Sequence, residues 1–286
     1  MLCGVSRRRD PRRAHDEQSR GTSPDPPPGV HRIDSGTCEL VADRFSGGWM
    51  LLVNGVESSH IDPDHPDALE FEYMRWMANL IHDRFPSDGR MRAVHLGGAG
   101  CALARHLDAT YPQARQVAVE IDAELARLVR EWFDLPRAPR LRIRVGDAAQ
   151  VTAELTAHGR EVIVRDVFTG AVTPRPLITR DFTRRVHDVL VPGGLYLVNC
   201  GDHRDLRLAR AEIATIGSVF GEVVVVADGA MLKGRRYGNV VIAGSDTPFG
   251  DLATVARLLR SDPMPAQILD DATARRFAGS ATPISD

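Results

Sequence analysis

Val94-His95-Leu96-Gly97-Gly98-Ala99-Gly100-Cys101 runs from an apolar stretch into a glycine turn, and Val117-Ala118-Val119-Glu120 follows about twenty residues later. The order is strand, glycine turn, helix, second strand, acidic tip, which is the nucleotide-binding half of a doubly wound α/β domain. Gly97, Gly98 and Gly100 let the backbone turn tightly and approach a ligand. A carboxylate at the next strand tip, Glu120, accepts two hydrogen bonds from a ribose diol. The stretch therefore points to an adenosine-containing cofactor. The strict dinucleotide fingerprint needs a third glycine three residues after Gly100, where Leu103 stands. A bulky residue there opposes the packing used around a pyrophosphate, so a pyridine-nucleotide reductase is disfavoured. The shorter turn suits a cofactor without phosphates, such as S-adenosylmethionine.

Outward from the turn, apolar runs alternate with helical patterns. Strands are expected at 93–97, 116–120, 141–145, 161–166, 194–199, 222–227 and 238–243. Helices at 101–110, 122–133, 148–157, 175–190 and 204–219 fit between the first six. Such alternation implies a parallel sheet with right-handed crossovers. The polar stretch 228–237 is too short for a crossover helix, so the last strand should run antiparallel. The expected fold is α/β, with a Rossmann-like seven-stranded sheet of the class I S-adenosylmethionine-dependent methyltransferase type over 67–250.

Ahead of it, Cys38–Arg44 and Gly48–Val53 read as strands, and Asn54-Gly55 is a strong hairpin signal because both residues tolerate positive φ. A small N-terminal β-hairpin domain is expected over 36–66, followed by a helix at 69–83 with Phe71, Met74, Leu80 and Ile81 at helical spacing. Residues 1–35 mix arginine, proline, serine and aspartate and read as a disordered tail. Residues 251–286 read as one C-terminal helix, over 251–260, and a weakly patterned tail.

The 286 residues are 43% hydrophobic and 26% charged, an ordinary globular composition, and the net charge of -2 offers no argument for nucleic acid. No apolar run has transmembrane length, and the arginines at 7–13 precede no apolar segment, so neither a membrane nor a secretory signal is expected. Cys3, Cys38, Cys101 and Cys200 have neither metal-ligand nor redox spacing, which suggests a reduced, cytoplasmic protein. His60, Asp62, Asp64 and His65 are ligand-type residues, but without the spacing of a zinc motif, and no metal is expected.

Ligands of an open parallel sheet sit outside the carboxyl ends of its strands. Those positions hold Gly97 to Gly100, Glu120 and Asp122, Gly146-Asp147-Ala148, Asp166 to Gly170, and Asn199 with Gly201-Asp202. Glu120 is the candidate for the ribose and Ile121 for the apolar face of the adenine ring. Asp147 is placed to accept from the exocyclic amine, with the amide of Ala148 on a ring nitrogen. Asp166 points into the cleft where the reacting group lies. Each carboxylate also precedes a helix or turn, where aspartate commonly serves as an N-cap.

Over roughly 38–245 these residues resemble the spermidine synthase (polyamine aminopropyltransferase) family. Asn54-Gly55 resembles its Asp-Gly hairpin turn, and Leu69-Glu70-Phe71-Glu72-Tyr73 its Asp-Glu-Phe-x-Tyr motif. Leu96 to Gly100 is similar to its glycine turn, Glu120 to its acidic strand tip, Gly146-Asp147 to its adenine motif and Asp166 to its catalytic aspartate. The resemblance implies S-adenosylmethionine or its decarboxylated form as co-substrate, a small amine acceptor and a possible homodimer. It also implies Asp166 and Tyr73 as catalytic residues. The chain departs from the family at Ala99, Thr169, Ser58 and Met74; the first two replace carboxylates that serve cationic groups. Three activities stay open: aminopropyl transfer, methyl transfer from intact S-adenosylmethionine to a small molecule, and a catalytically silent binding protein of the same fold.

Overall fold

The computed structural model describes residues 26–170 and 172–286. Four short strands come first: β1 (Gly29–Ile33), β2 (Gly36–Ala42), β3 (Trp49–Val53) and β4 (Val56–Ile61). They form an antiparallel sheet in the order β1-β2-β3-β4. Asn54 and Gly55 make the β3–β4 turn with φ of 50° and 80°, as their chemistry implies. Sequence reading starts this region at 36, but β1 precedes it and pairs Val30 with Glu39 and His31 with Cys38. Only Ile33 of β1 is buried, so its apolar alternation is too weak to mark a strand. The part of the expected tail at 1–25 lies outside the described residues.

The helix α1 (Glu72–Arg84) leads into an eight-stranded sheet. Its strands are β5 (Arg92–Leu96), β6 (Arg115–Glu120), β7 (Leu141–Val145), β8 (Arg160–Arg165), β9 (Leu190–Asp202), β10 (Glu222–Asp228), β11 (Gly238–Ser245) and β12 (Ala266–Leu269). Their order is β12-β10-β11-β9-β8-β5-β6-β7. Strands β5 to β9 pair in parallel, and β11 runs antiparallel to both β9 and β10, as expected. The sheet has one strand more than the seven read from sequence: β12 adds an antiparallel edge along β10. Four residues between prolines and polar groups carry too little periodicity to betray it, and its place depends on packing against α8 (Leu252–Ser261).

Helices α2 (Ala102–Thr110), α3 (Ala123–Trp132), α4 (Ala148–Glu154), α5 (Arg180–Val189) and α6 (Arg207–Gly217) cover the sheet, and α7 (Gly229–Leu232) is a single turn in the β10–β11 connection. The stretch read from sequence as a weakly patterned tail also holds a second helix, α9 (Asp271–Ala278), which packs on α6 before residues 279–286. The helix expected over 175–190 is split: Pro174 and Pro176 confine Arg175–Leu177 to a 3-10 turn, and α5 starts afresh with Thr179 as N-cap. Strands β5 and β8 are buried on both faces, which explains their unbroken apolar runs. Cys38, Leu40, Leu51 and Ile61 of the small sheet pack on Leu125, Leu128, Val129 and Trp132 of α3. The β1–β2 turn is pinned to the start of α3, where Asp122 accepts from the Ser35 amide at 2.6 Å and Asp34 accepts from the Ala123 amide at 2.9 Å. That docking places the small sheet over the carboxyl end of β5.

Candidate active site

A cavity of about 710 Å³ opens at the carboxyl ends of the parallel strands, roofed by the small sheet and the start of α1. The glycine turn forms its floor. Gly97 has φ of +92°, and a Cβ there would collide with the backbone carbonyl of Asp166, so only glycine lets β5 and β8 end side by side. Gly98 lies against Glu120, where a Cβ would stand 3.2 Å from the Glu120 Cβ. Gly100 corrects the sequence reading. Its amide donates to Ser59 Oγ at 3.0 Å, and an added Cβ would approach Ile61 Cδ1 at 2.5 Å, so its smallness serves the roof sheet rather than a ligand.

Glu120 lines the cavity, and backbone amides hold its carboxylate. Oε2 accepts from Gly98 at 3.2 Å and Ala99 at 2.9 Å, while Oε1 accepts from Asp122 at 3.0 Å. A carboxylate has about four acceptor positions, so Glu120 keeps one free of these amides while it braces the turn. Ile121 beside it is 67% exposed and offers the cavity an apolar face. Asp147 caps α4 by accepting from Gln150 N at 2.9 Å with Oδ1, and no side-chain or backbone donor among the described residues engages Oδ2. Ala148, the first residue of α4, also lines the cavity, so its amide has no intrahelical partner. Both readings of Asp147, cap and adenine ligand, are compatible because they use different oxygens. Asp122 is a cap and a tether for the β1–β2 turn, not a cavity residue.

Asp166 stands across the cavity at the end of β8. Its Oδ2 accepts from the Tyr73 hydroxyl at 2.9 Å and its Oδ1 from Asn199 Nδ2 at 3.0 Å. Burial pushes the Asp166 carboxyl above the usual aspartate value, against the pull of the Asn199 and Tyr73 hydrogen bonds and the Arg165 charge. Tyr73 is pushed well above an ordinary phenol by burial and by the Asp166 charge, so it stays a donor. Asn199 is the residue that motif reasoning undervalued. Its place at the carboxyl-terminal part of β9 was legible, although the strand runs on to Asp202; its aim at Asp166 was not. Glu72 adds a further carboxylate, met by Asn239 Nδ2 at 3.3 Å.

The remaining marked residues separate. Ser58 lines the cavity but bonds the Val56 carbonyl at 2.9 Å, and Met74 is buried in the lining. Thr169 is exposed and bridges to Val172 across the loop after β8. The His60 to His65 cluster resolves into local pairs: His60 with Asp43 at 3.3 Å, and His65 with Asp62 at 2.8 Å. Among the described residues no group of three or more such side chains is arranged to hold a metal, and no helix is long and apolar enough to cross a membrane. Cys38, Cys101 and Cys200 are buried free thiols.

No family model matches the chain. The crystal structure of a probable spermidine synthase from Corynebacterium glutamicum ATCC 13032 superposes with a TM-score of 0.87 at 47% identity, covering 91% of this chain and 97% of that one. A polyamine aminopropyltransferase of Neisseria meningitidis serogroup A is 29% identical over 189 residues, 64% of this chain and 66% of that protein. The chain thus spans just under two thirds of that curated relative's length. Human methyltransferase-like protein 13, solved with SAH, shares the fold at a TM-score of 0.55 and 20% identity, over 76% of this chain and 96% of that one. Close to half its residues match those of a structure it covers almost end to end, and the chain belongs to the spermidine synthase-like family, with a methyltransferase-like fold.

Proposed function

We propose that this protein holds a sulfonium donor of the S-adenosylmethionine type and transfers its aminopropyl group to a small amine. The observation that carries the reading is the charge of the cavity. Glu57, Glu72, Glu120, Asp147, Asp166 and Asp202 line it, and no lysine or arginine among the described residues does. Decarboxylated S-adenosylmethionine brings two positive charges and no negative one. The intact donor brings a carboxylate that no side-chain cation meets.

In this reading the adenosine lies along Glu120, Ile121 and Asp147-Ala148, and the sulfonium-bound chain points toward Asp166. The acceptor nitrogen attacks the carbon next to sulfur. A carbon–nitrogen bond forms, the carbon–sulfur bond breaks, and the electron pair leaves on sulfur as methylthioadenosine. Asp166 takes the proton that the nitrogen sheds, while Tyr73 and Asn199 hold the carboxylate's direction. A carboxylate whose proton affinity is raised by burial is a stronger base toward the nitrogen's proton.

Ala99 favours a second reading, methyl transfer, since an alanine there would not repel the carboxylate of the intact donor. Calorimetric titration with S-adenosylmethionine, its decarboxylated form and methylthioadenosine separates the two. Tighter binding of the decarboxylated donor, followed by turnover with a diamine, supports aminopropyl transfer. Preference for the intact donor replaces it with methyl transfer, and no binding of any of the three leaves a silent fold.

A further inference from the structure

Directly beneath Asp166 lies a charged pair that the transfer reaction itself does not use. Arg165, the last residue of β8, is 1% exposed, and its Nη2 donates to Glu212 Oε2 of α6 at 2.6 Å, with Glu212 2% exposed. Its Nη1 donates to the Leu177 carbonyl at 2.8 Å, at the end of the 3-10 turn. Pro174, Pro176 and Leu177 wall the cavity. Asp202, on the opposite wall, accepts from the Ala209 amide of α6 at 2.7 Å. The bonds close a ring: Asp166 to Asn199 on β9, along β9 to Asp202, through α6 to Glu212, and back through Arg165 to the neighbour of Asp166.

A buried ion pair is a poor stability device, because well-packed apolar residues of similar size commonly do as well or better. A guanidinium that spans two partners in fixed directions is a good geometric one. We propose that Arg165 is a positioning residue: through Glu212 and the Leu177 carbonyl it locks the end of β8, the 174–178 wall and α6 into one unit, and so sets the place of Asp166. The proposal rests on the reading of Asp166 as the proton acceptor. The groups facing Asp166 are Tyr73 from α1, Asn199 from β9 and Arg165 from its own strand. Those facing Arg165 are Glu212 from α6 and Tyr196 and Cys200 from β9, with Asp202 near Glu212.

The test uses the full chain and the double variant R165M/E212L, which removes both charges and keeps the volume apolar. Two readouts need no turnover: the carbon-13 carboxyl titration of Asp166, and hydrogen exchange at the Leu177 and Ile178 amides, which close the 3-10 turn. Without the guanidinium beside it, and with only the more distant Glu212 charge lost in return, the Asp166 midpoint should rise. The two amides should exchange at least about tenfold faster, since their anchor is gone. Turnover should fall in kcat more than it rises in KM, with the acid limb of the pH profile moved up. A folded double variant with unchanged titration and unchanged exchange overturns the proposal. Should that variant not fold, R165K decides: lysine keeps the charge but cannot span both partners, so the titration should stay and the exchange should quicken. Unchanged exchange in R165K also overturns the proposal. Failure of the transfer reading looks different: wild-type protein then turns over no donor and amine, while titration and exchange still report on Arg165.

Discussion

Glu120 and Asp166 end the two strands that flank β5, yet opposite means hold them. Three backbone amides fasten Glu120, all from the glycine turn or the start of α3. Two side chains fasten Asp166, one from 93 residues earlier and one from 33 residues later. The Glu120 side of the cavity is therefore a property of local backbone, while the Asp166 side is assembled from α1, β8 and β9. A carboxylate tied to its own turn is robust. One dehydrated among distant side chains is tunable, because each partner moves its affinity for a proton.

The comparison breaks most readily at Asp166. D166N should cost about a thousandfold in kcat/KM, measured as donor-dependent turnover, if Asp166 is the proton acceptor. The same change should stabilise the fold. The folded value of Asp166 lies above its ordinary 3.8, so the native state keeps its proton to higher pH than the unfolded chain. Its contribution to stability is full below that ordinary value and is lost as pH rises through the raised one. Melting temperatures of D166N and wild type should therefore diverge in favour of the variant with rising pH. Parallel curves would remove the burial argument.

The glycine turn offers the next largest effect. G97A sets a Cβ against the Asp166 carbonyl at φ of +92°, with no flexible neighbour to yield, and should cost on the order of 3 kcal/mol in urea unfolding. G100A meets the side chains of Ile61 and Ser59, which can shift, and should cost about 1–2 kcal/mol. Equal costs would mean that both glycines serve the same contact.

Y73F sharpens the contrast from the side-chain half. Removing the hydroxyl takes a hydrogen bond from the Asp166 carboxylate, so its proton affinity should rise and the acid limb of kcat/KM should move to higher pH, with about a tenfold loss of activity. The backbone half has its counterpart in D147A. Loss of the α4 cap should cost about 1 kcal/mol of stability, with weaker donor binding and an unmoved pH profile. A D147A profile shifted like that of Y73F would merge the two halves into one site.

Local chemistry determined much of this protein. The positive φ at Asn54-Gly55 and Gly97, the alternation of apolar runs with helices, and the carboxylates at strand tips all act over a few residues, so the parallel sheet and the carboxylates that line the cavity at its strand ends were legible in the sequence. The strands β1 and β12 were not, because each is four or five residues long and gains its place only by pairing with a neighbour already formed. Nor does any pattern say that Gly100 faces Ser59 and Ile61, that Asn199 and Tyr73 converge on Asp166, or that Arg165 reaches Glu212. Those contacts join residues tens of positions apart. Only packing brings them within hydrogen-bonding reach, and only the dehydration that packing imposes raises the proton affinity of Asp166 above that of an ordinary aspartate.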